Sequence, residues 1–531
     1  MERSRATLST RRPRLSRAAY GAVWLAVVLL GVGPPLLQHA HTDEAGFLYL
    51  AGVVLDGQRH GVDFFDLNPP LAIWLSIPAV AVHQGVGGSL WTIWIAMVAG
   101  VILGSTALLA KLLKPLESSP SRRAGILLVA ACAMLLLPGL DFSEREHLAL
   151  VLVLPFIGLA ALRMSRAGVD VTRRDALVAG LMGGIGFSLK PHFLPAWLLL
   201  ELWLFGRLRR TSFQREEFWA VVGVGAAYVL LVLRFAPDYL PMAMRLAPHY
   251  HVYLHNSIGN VLLMAGPSLL FTVGVGLAAR AAGSREDSLR DALSLSFLGF
   301  FLGAVIQQKG LSYHYLAAAG AGFLLLARAW QTRPARLGWY PSAIILRIGL
   351  VLLIAIPILK VRSITVEMLR PREVRFGADP FYPQLLATVR QLAAGAPILS
   401  FSSNMNDGWP LTLDAGSSWA SRYMHFWPMA ATYHDQILAR PMGVVRARPF
   451  AARSGFERRF SREVVEDLLQ HEPRVLVVVL PDSTEIVGGH ARRFDYLEYF
   501  GSDPEFQRIM RAYQEVPGVG NYRIFVRTSG P

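Results

Sequence analysis

The chain has 531 residues, of which 53% are hydrophobic and only 17% charged. A soluble domain carries about a quarter charged residues, so this composition excludes an ordinary soluble globule and points to the bilayer. The net charge of +15 does not signal nucleic acid, because most Lys and Arg sit in short loops between apolar runs, where they orient a membrane chain.

The N-terminus, MERSRATLSTRRPRLSR, is a basic arm before an apolar run near residues 20–38. That pattern also describes a signal peptide. The run is long enough to cross a hydrocarbon core of ~30 Å, which takes ~20 residues, so a retained first helix is expected. Further apolar segments follow near residues 69–83, 89–110, 124–140, 147–162, 175–189, 193–206, 218–235, 258–279, 291–306, 314–330 and 340–360. The only cysteine, Cys132, lies in one of them and reads as a buried, inert thiol; a disulfide within the chain or a Cys metal site is excluded.

The segment PPLAIWLSIPAVAVH is short, opens on Pro69 and Pro70, and contains Pro78. It reads as an interfacial or re-entrant helix, not a span. Loop charge decides the point. If it does not cross, the cytoplasm receives the N-terminal arm, KLLKPLESSPSRR, RMSRAGVDVTRR, RLRRTSFQRE, RAAGSREDSLR and QTRPAR, all of them basic. The positive-inside rule then gives about eleven transmembrane helices, a cytoplasmic N-terminus and an external C-terminus. No internal repeat is visible, which weighs against an inverted-repeat transporter.

From about residue 362 charges, turns and prolines increase. SREVVEDLLQHEPRVLVVVLPD reads as helix, turn and buried strand, and PILSFS and NYRIFVRT as further strands. The expected fold class is a polytopic α-helical membrane protein with a small C-terminal α/β domain. Its expected divisions are a cytoplasmic arm at 1–19, a transmembrane domain at 20–361 and an extracytoplasmic domain at 362–531.

This topology gathers the unusual polar residues on the outer side. The outer loops read HTDEAGFLYLAGVVLDGQRHGVDFFDLNPPLAIW, GLDFSEREHL, LKPHF, FAPDYLPMAMRLAPHYHVYLHNS and IQQKGLSYHY. Acidic residues beside membrane helices are costly unless hydrated or paired, and are often functional. Taken alone, Asp43 and Glu44 read as a helix cap, because Thr42 and Asp43 precede the helical AGFLYLAGVVL. DFSEREHL likewise reads as a capping turn. Lys190 and Lys309 read equally as snorkelling anchors. His249, His251 and His255 read as an interfacial His/Tyr belt before they read as a metal site.

The acid after the first helix, the amphipathic helix behind it and the stretch DFFDLNPPLAIWL together resemble the polyprenyl-phosphate-sugar-dependent transferases of the GT-C fold. The resemblance is to protein O-mannosyltransferases, the lipid A aminoarabinose transferase and their bacterial relatives, and it covers roughly Thr42 to Leu75. It implies a Pro-Pro-Leu helix that does not span. One departure is Asn68, which stands where family members often have Lys or His, so one phosphate contact is missing or supplied elsewhere.

The resemblance implies sugar transfer from a polyprenyl-phosphate donor to a glycan, lipid or protein acceptor at the outer face of a bacterial inner membrane, by single displacement with inversion. Three roles must then be filled: a base for the acceptor proton, cations for the phosphate, and a groove that aligns both substrates. Asp43 takes the first role, with Glu44 as its neighbour. Asp141, Glu144 and Glu146 are candidates for orienting the acceptor or a divalent metal, whose presence stays open. Lys309, Lys190 and Arg145 are phosphate candidates, and His192, Tyr313 and His314 candidates for bonding phosphate or sugar. A transporter or flippase, a polymerase or ligase of lipid-linked glycans, and an external sensor are the competing readings.

Overall fold

The computed structural model describes residues 17–37, 42–165, 171–263, 287–332, 380–440, 443–453, 455–487 and 490–528, with isolated positions between 344 and 366. The basic arm, most of the runs at 258–279 and 340–360, and the division near 361 lie outside the described residues.

The first part of the chain is a helical assembly. Its helices are α1 (Arg17–Leu37), α2 (Thr42–Leu55), α3 (Leu71–Val86), α4 (Leu90–Leu116), α5 (Pro120–Leu135), α6 (Arg145–Met164), α7 (Arg173–Ser188), α8 (Leu194–Leu208), α9 (Glu216–Phe235), α10 (Tyr239–Leu254), α11 (Ser288–Ile306) and α12 (Leu316–Thr332). Five of the described helices (α1, α4, α6, α9 and α11) are long and apolar enough to cross a membrane by themselves. Helix α3 has 16 residues, about 24 Å at 1.5 Å per residue, which is short of a hydrocarbon core. It packs on α2 and α4.

Helix α6 is the centre of the assembly. Nearly every one of its residues is buried, as an all-round apolar helix requires, and α4, α7, α11 and α12 surround it. The helix α10 departs from the sequence reading, which placed 236–257 in a loop. Its Pro241 falls in the first turn, where a missing N–H costs nothing. Its buried Tyr239, Met242, Leu246 and Tyr253 lie on one face at helical spacing.

The chain from 380 onward forms an α/β unit. Strands β1 (Ile398–Phe401), β2 (Val475–Val479), β5 (Tyr513–Val519) and β6 (Tyr522–Arg527) make one sheet in the order β1-β2-β6-β5. The β1–β2 pair is parallel and the other pairs antiparallel. The crossover between β1 and β2 ends in helix α17 (Gly455–His471); before it come α14 (Trp409–Ala415) and α15 (Trp427–Thr432), preceded in the chain by α13 (Tyr382–Ala393), with α16 (His434–Ala439) after them. A separate hairpin joins β3 (Glu485–Val487) to β4 (His490–Arg492).

The two parts are stitched together by hydrogen bonds and aromatic packing. The backbone N–H of Phe65 donates to Arg422 O at 2.6 Å, and that of Trp419 to the Tyr49 hydroxyl at 2.8 Å. Trp409 packs on Tyr49 and lies 3.1 Å from where a side chain on Gly46 would begin. Arg245 of α10 reaches Glu463 of α17 at 2.8 Å.

Candidate active site

A cavity of about 640 Å³ lies where the two parts meet. Its wall is drawn from five places: Asp43 on α2, Leu67–Pro69, Glu144 and Arg145 at the head of α6, the Lys190–His192 turn, and Lys309 to His314. Helix α10 and the loop carrying Asn404 and Met405 complete it.

Local structure fixes each of these. Asp43 and Glu44 occupy the first turn of α2, where the helix dipole favours acids. The turn before α6 puts Ser143 at φ 74°, an unusual conformation for a residue with a side chain. It is held from two sides: Ser143 N–H donates to His147 Nδ1 at 2.8 Å, and Trp94 Nε1 donates to Ser143 Oγ at 3.0 Å. The remaining His147 nitrogen, Nε2, then carries the proton and donates to Met134 O at 2.6 Å. Glu144 and Arg145 emerge from this turn.

The Lys190 turn is packed by α11. Built onto Gly303, a Cβ would sit 1.9 Å from His192 O, and on Gly299 2.3 Å from Ala196 Cα. Glycines four apart allow this close helix approach. Lys309 lies between Gln308 (φ 52°) and Gly310 (φ 70°), and the Asn256 side chain donates to Lys309 O at 3.0 Å.

The charges form a linked set. Arg145 pairs with Asp43 at 2.6 Å and also bonds Asn68. Asn68 in turn donates to Asp66 Oδ1 through its backbone at 2.9 Å and its amide at 2.8 Å. Lys190 pairs with Glu146 at 2.5 Å. Lys309 has no carboxylate partner among the described residues; its ammonium lies 4.6 Å from the centre of the Tyr250 ring.

Burial is the leading influence on several of these groups. It pushes the carboxyls of Glu44 and Glu144 well above the usual range, with neighbouring acids adding to the effect and Arg145 opposing it. It raises Asp66 to about 6, against the Asn68 hydrogen bonds. Burial and the positive charges of Lys190 and Arg145 lower Lys309 to about 7. Burial, then Lys190 and Lys309, lower His192 to about 4 and hold His314 well below its ordinary range. Burial and the charge of Arg145 lower Lys190 too, against its pairing with Glu146, and Arg145, Lys190 and Lys309 stand around the Asp43 and Glu146 carboxylates.

Of the sequence candidates, Asp43, Glu144, Arg145, Lys190, His192, Lys309, Tyr313 and His314 line one cavity. Glu146 stands behind Lys190. Asp141 is half-buried in the preceding 3₁₀ turn and is felt electrostatically by Glu44. Glu44 does not line the cavity: it is 1% exposed, and neither carboxylate oxygen has a hydrogen-bond partner. The histidines separate: His251 lines the cavity beside His255, while His249 stacks on Phe456 at 3.8 Å.

Among the described residues no group of three or more His, Cys, Asp or Glu is placed to hold a metal ion. With Asp43 and Glu146 already engaged by Arg145 and Lys190, the arrangement does not fit a metal-ligand set.

Several cavity residues escaped the sequence reading. Asn68, read as a gap in the phosphate contacts, is the second partner of Arg145. Asp66, which holds Asn68 from behind the wall, lay unremarked inside the quoted stretch. Tyr239 and Tyr250 were hidden in the supposed loop. Asn404 and Met405 lie more than three hundred residues from Asp43, and no local pattern marks them.

The architecture has solved counterparts. ArnT from Cupriavidus metallidurans bound to undecaprenyl phosphate superposes with a TM-score of 0.60 at 12% identity, over 97% of this chain and 100% of that one. The apo form of the same protein gives 0.57 at 12% identity, over 97% and 98%. The Archaeoglobus fulgidus oligosaccharyltransferase, solved with Zn and sulfate, gives 0.50 at 12%, over 94% and 73%. The chain has the GT-C fold. It is a multi-pass helical membrane protein of that fold. No family model and no curated protein matches the sequence.

Proposed function

We propose that the protein is a glycosyltransferase that moves a sugar from a polyprenyl-phosphate donor to an acceptor at the outer face of the membrane. The observation that carries this reading is one cavity that holds the Asp43 carboxylate together with Arg145, Lys190 and Lys309. Three basic residues with two paired carboxylates suit a phosphate, and Lys309 has no carboxylate paired to it among the described residues. The likeness to ArnT, which was solved with undecaprenyl phosphate in place, supports a lipid phosphate as that anion.

In the proposed reaction the acceptor oxygen attacks the anomeric carbon. The bond from that carbon to the phosphate oxygen breaks, and its electron pair stays on the phosphate. Asp43 takes the acceptor proton, while Lys309, Lys190 and Arg145 balance the charge growing on the phosphate. A single displacement inverts the anomeric carbon. With the α/β unit on the outer side, as the loop charges suggest, the cavity between it and the helical part is within reach of external acceptors.

Replacing Asp43 with Asn tests the reading in cells. One envelope glycan difference between cells with and without the gene should vanish, while the variant still inserts and still binds undecaprenyl phosphate. Retention of that difference at its full level rules out Asp43 as the base.

A further inference from the structure

We propose that the α/β unit supplies the acceptor side of the cavity: Asn404 and Met405 contact an acceptor sugar, and Glu485 is the positioning residue. The proposal rests on the transferase reading above and deepens it.

The loop after β1 enters the cavity wall only at Asn404 and Met405. It is held there by Glu485 of the β3–β4 hairpin. The Glu485 carboxylate accepts from Ser402 Oγ at 2.7 Å, Ser403 N–H at 2.8 Å, Ser403 Oγ at 2.9 Å and Asn404 N–H at 3.2 Å. Tyr496 adds a further donor at 2.7 Å. Such a convergence of donors on a buried carboxylate fixes a loop far more tightly than its own turn would.

The same hairpin braces the other half of the wall. Arg492, the cross-strand partner of Glu485, lies 4.8 Å from the centre of the Tyr253 ring. Tyr253 in turn packs against Tyr250, ring centres 5.6 Å apart. One hairpin thus sets both the loop and the aromatic pair, although none of its described residues lines the cavity.

The chemistry of this side differs from the phosphate side. Tyr250, Tyr253, Leu254, Asn404 and Met405 carry no formal charge. Asn404 Oδ1 is used within the loop, accepting from Asn406 N–H at 3.1 Å, which leaves its amide N–H groups for a ligand. A sugar ring offers rim oxygens for an amide donor and apolar C–H groups for the Met405 side chain.

The test uses the full-length protein with two readouts. One is the affinity of the purified protein for undecaprenyl phosphate. The other is the amount and attachment point of the envelope modification that depends on the gene. Loss of one well-placed hydrogen bond corresponds to roughly a tenfold change, so Asn404→Ala should cut the modification about tenfold and leave undecaprenyl phosphate affinity unchanged. Glu485→Gln should act in the same direction, again without touching undecaprenyl phosphate affinity, which a general loss of folding would also lower. Lys309→Met should show the opposite pattern, losing undecaprenyl phosphate. Normal modification by Asn404→Ala overturns the proposal, as does weakened undecaprenyl phosphate binding in that variant, which would put the loop on the donor side. Attachment of the transferred sugar to a protein side chain overturns the sugar acceptor. A wild-type protein that neither binds undecaprenyl phosphate nor alters any glycan overturns the transferase reading itself.

Discussion

The two sides of the cavity are built by opposite means. The helical side is made of buried charges that satisfy one another: Arg145 with Asp43, and Lys190 with Glu146. The side facing the α/β unit is made of neutral groups, and the charges behind it, Glu485 and Arg492, brace the loop and the Tyr253 ring. A wall of paired charges holds ions in place for a charged ligand, but each member is costly to remove. A wall of amides and rings can be altered residue by residue. The difference teaches where chemistry and where selectivity should reside.

The largest effect should come from the helical side. Asp43→Asn keeps the shape and removes the proton acceptor, so turnover should fall roughly 10²–10⁴-fold, the range for a lost general base. Single-turnover transfer by purified protein measures it. A fall of the same size from Asn404→Ala would erase the contrast between the two sides.

Stability should break the comparison in the same direction. Glu146→Ala strands the buried Lys190 ammonium, and losing one partner of a buried pair costs about 3–5 kcal/mol. Glu485→Gln keeps one acceptor oxygen for the loop and should cost less, about 1–3 kcal/mol. Thermal unfolding in detergent ranks the two. Equal losses would mean that the loop is as much a keystone as the ion pair.

Next in size is the packing beneath the cationic turn. Gly303→Ala drives a Cβ toward the backbone oxygen of His192, which cannot swing aside as a side chain would. Overpacking of this kind costs about 1–3 kcal/mol. It should also weaken undecaprenyl phosphate binding, because the displaced turn carries Lys190. A variant of unchanged stability and affinity would show that α11 does not set that turn.

Much of this molecule was legible in advance. Apolar runs marked α1, α4 and α6 because lipid-facing and core-facing helices share one composition. VLVVVL marked β2 because a fully buried strand is a short continuous apolar run. Asp43, Arg145, Lys190 and Lys309 stood out because a charge beside the membrane is rare. Helix α10 was not legible: its prolines and histidines mimic a loop, and only packing against the α/β unit reveals its buried face. Glu44 shows a second limit. Sequence places it beside Asp43, but successive helical positions point about 100° apart, so one acid of the pair reaches the cavity and the other is buried. Asn404 shows a third, since a loop residue becomes part of a site only through long-range folding.

The smallest effect separates the two sides by pH. Lys309 is lowered to about 7 by burial and by the charges of Lys190 and Arg145. Its ammonium is therefore present below pH 7 and lost as pH rises through that value. If it meets the phosphate, affinity for undecaprenyl phosphate should fall above pH 7, by up to about tenfold per pH unit. The second ionisation of a phosphate monoester lies near pH 6, so between pH 7 and 8.5 the ligand is already mostly doubly charged and the loss belongs to the protein. Lys309→Arg should bind across the whole interval, because a guanidinium keeps its proton. Asn404→Ala should keep the wild-type slope, since the outer wall contributes no charge to that step. A flat profile in the wild type would return Lys309 to the role of a membrane anchor, and a slope that survives in Lys309→Arg would move the titration to another group on the cationic side.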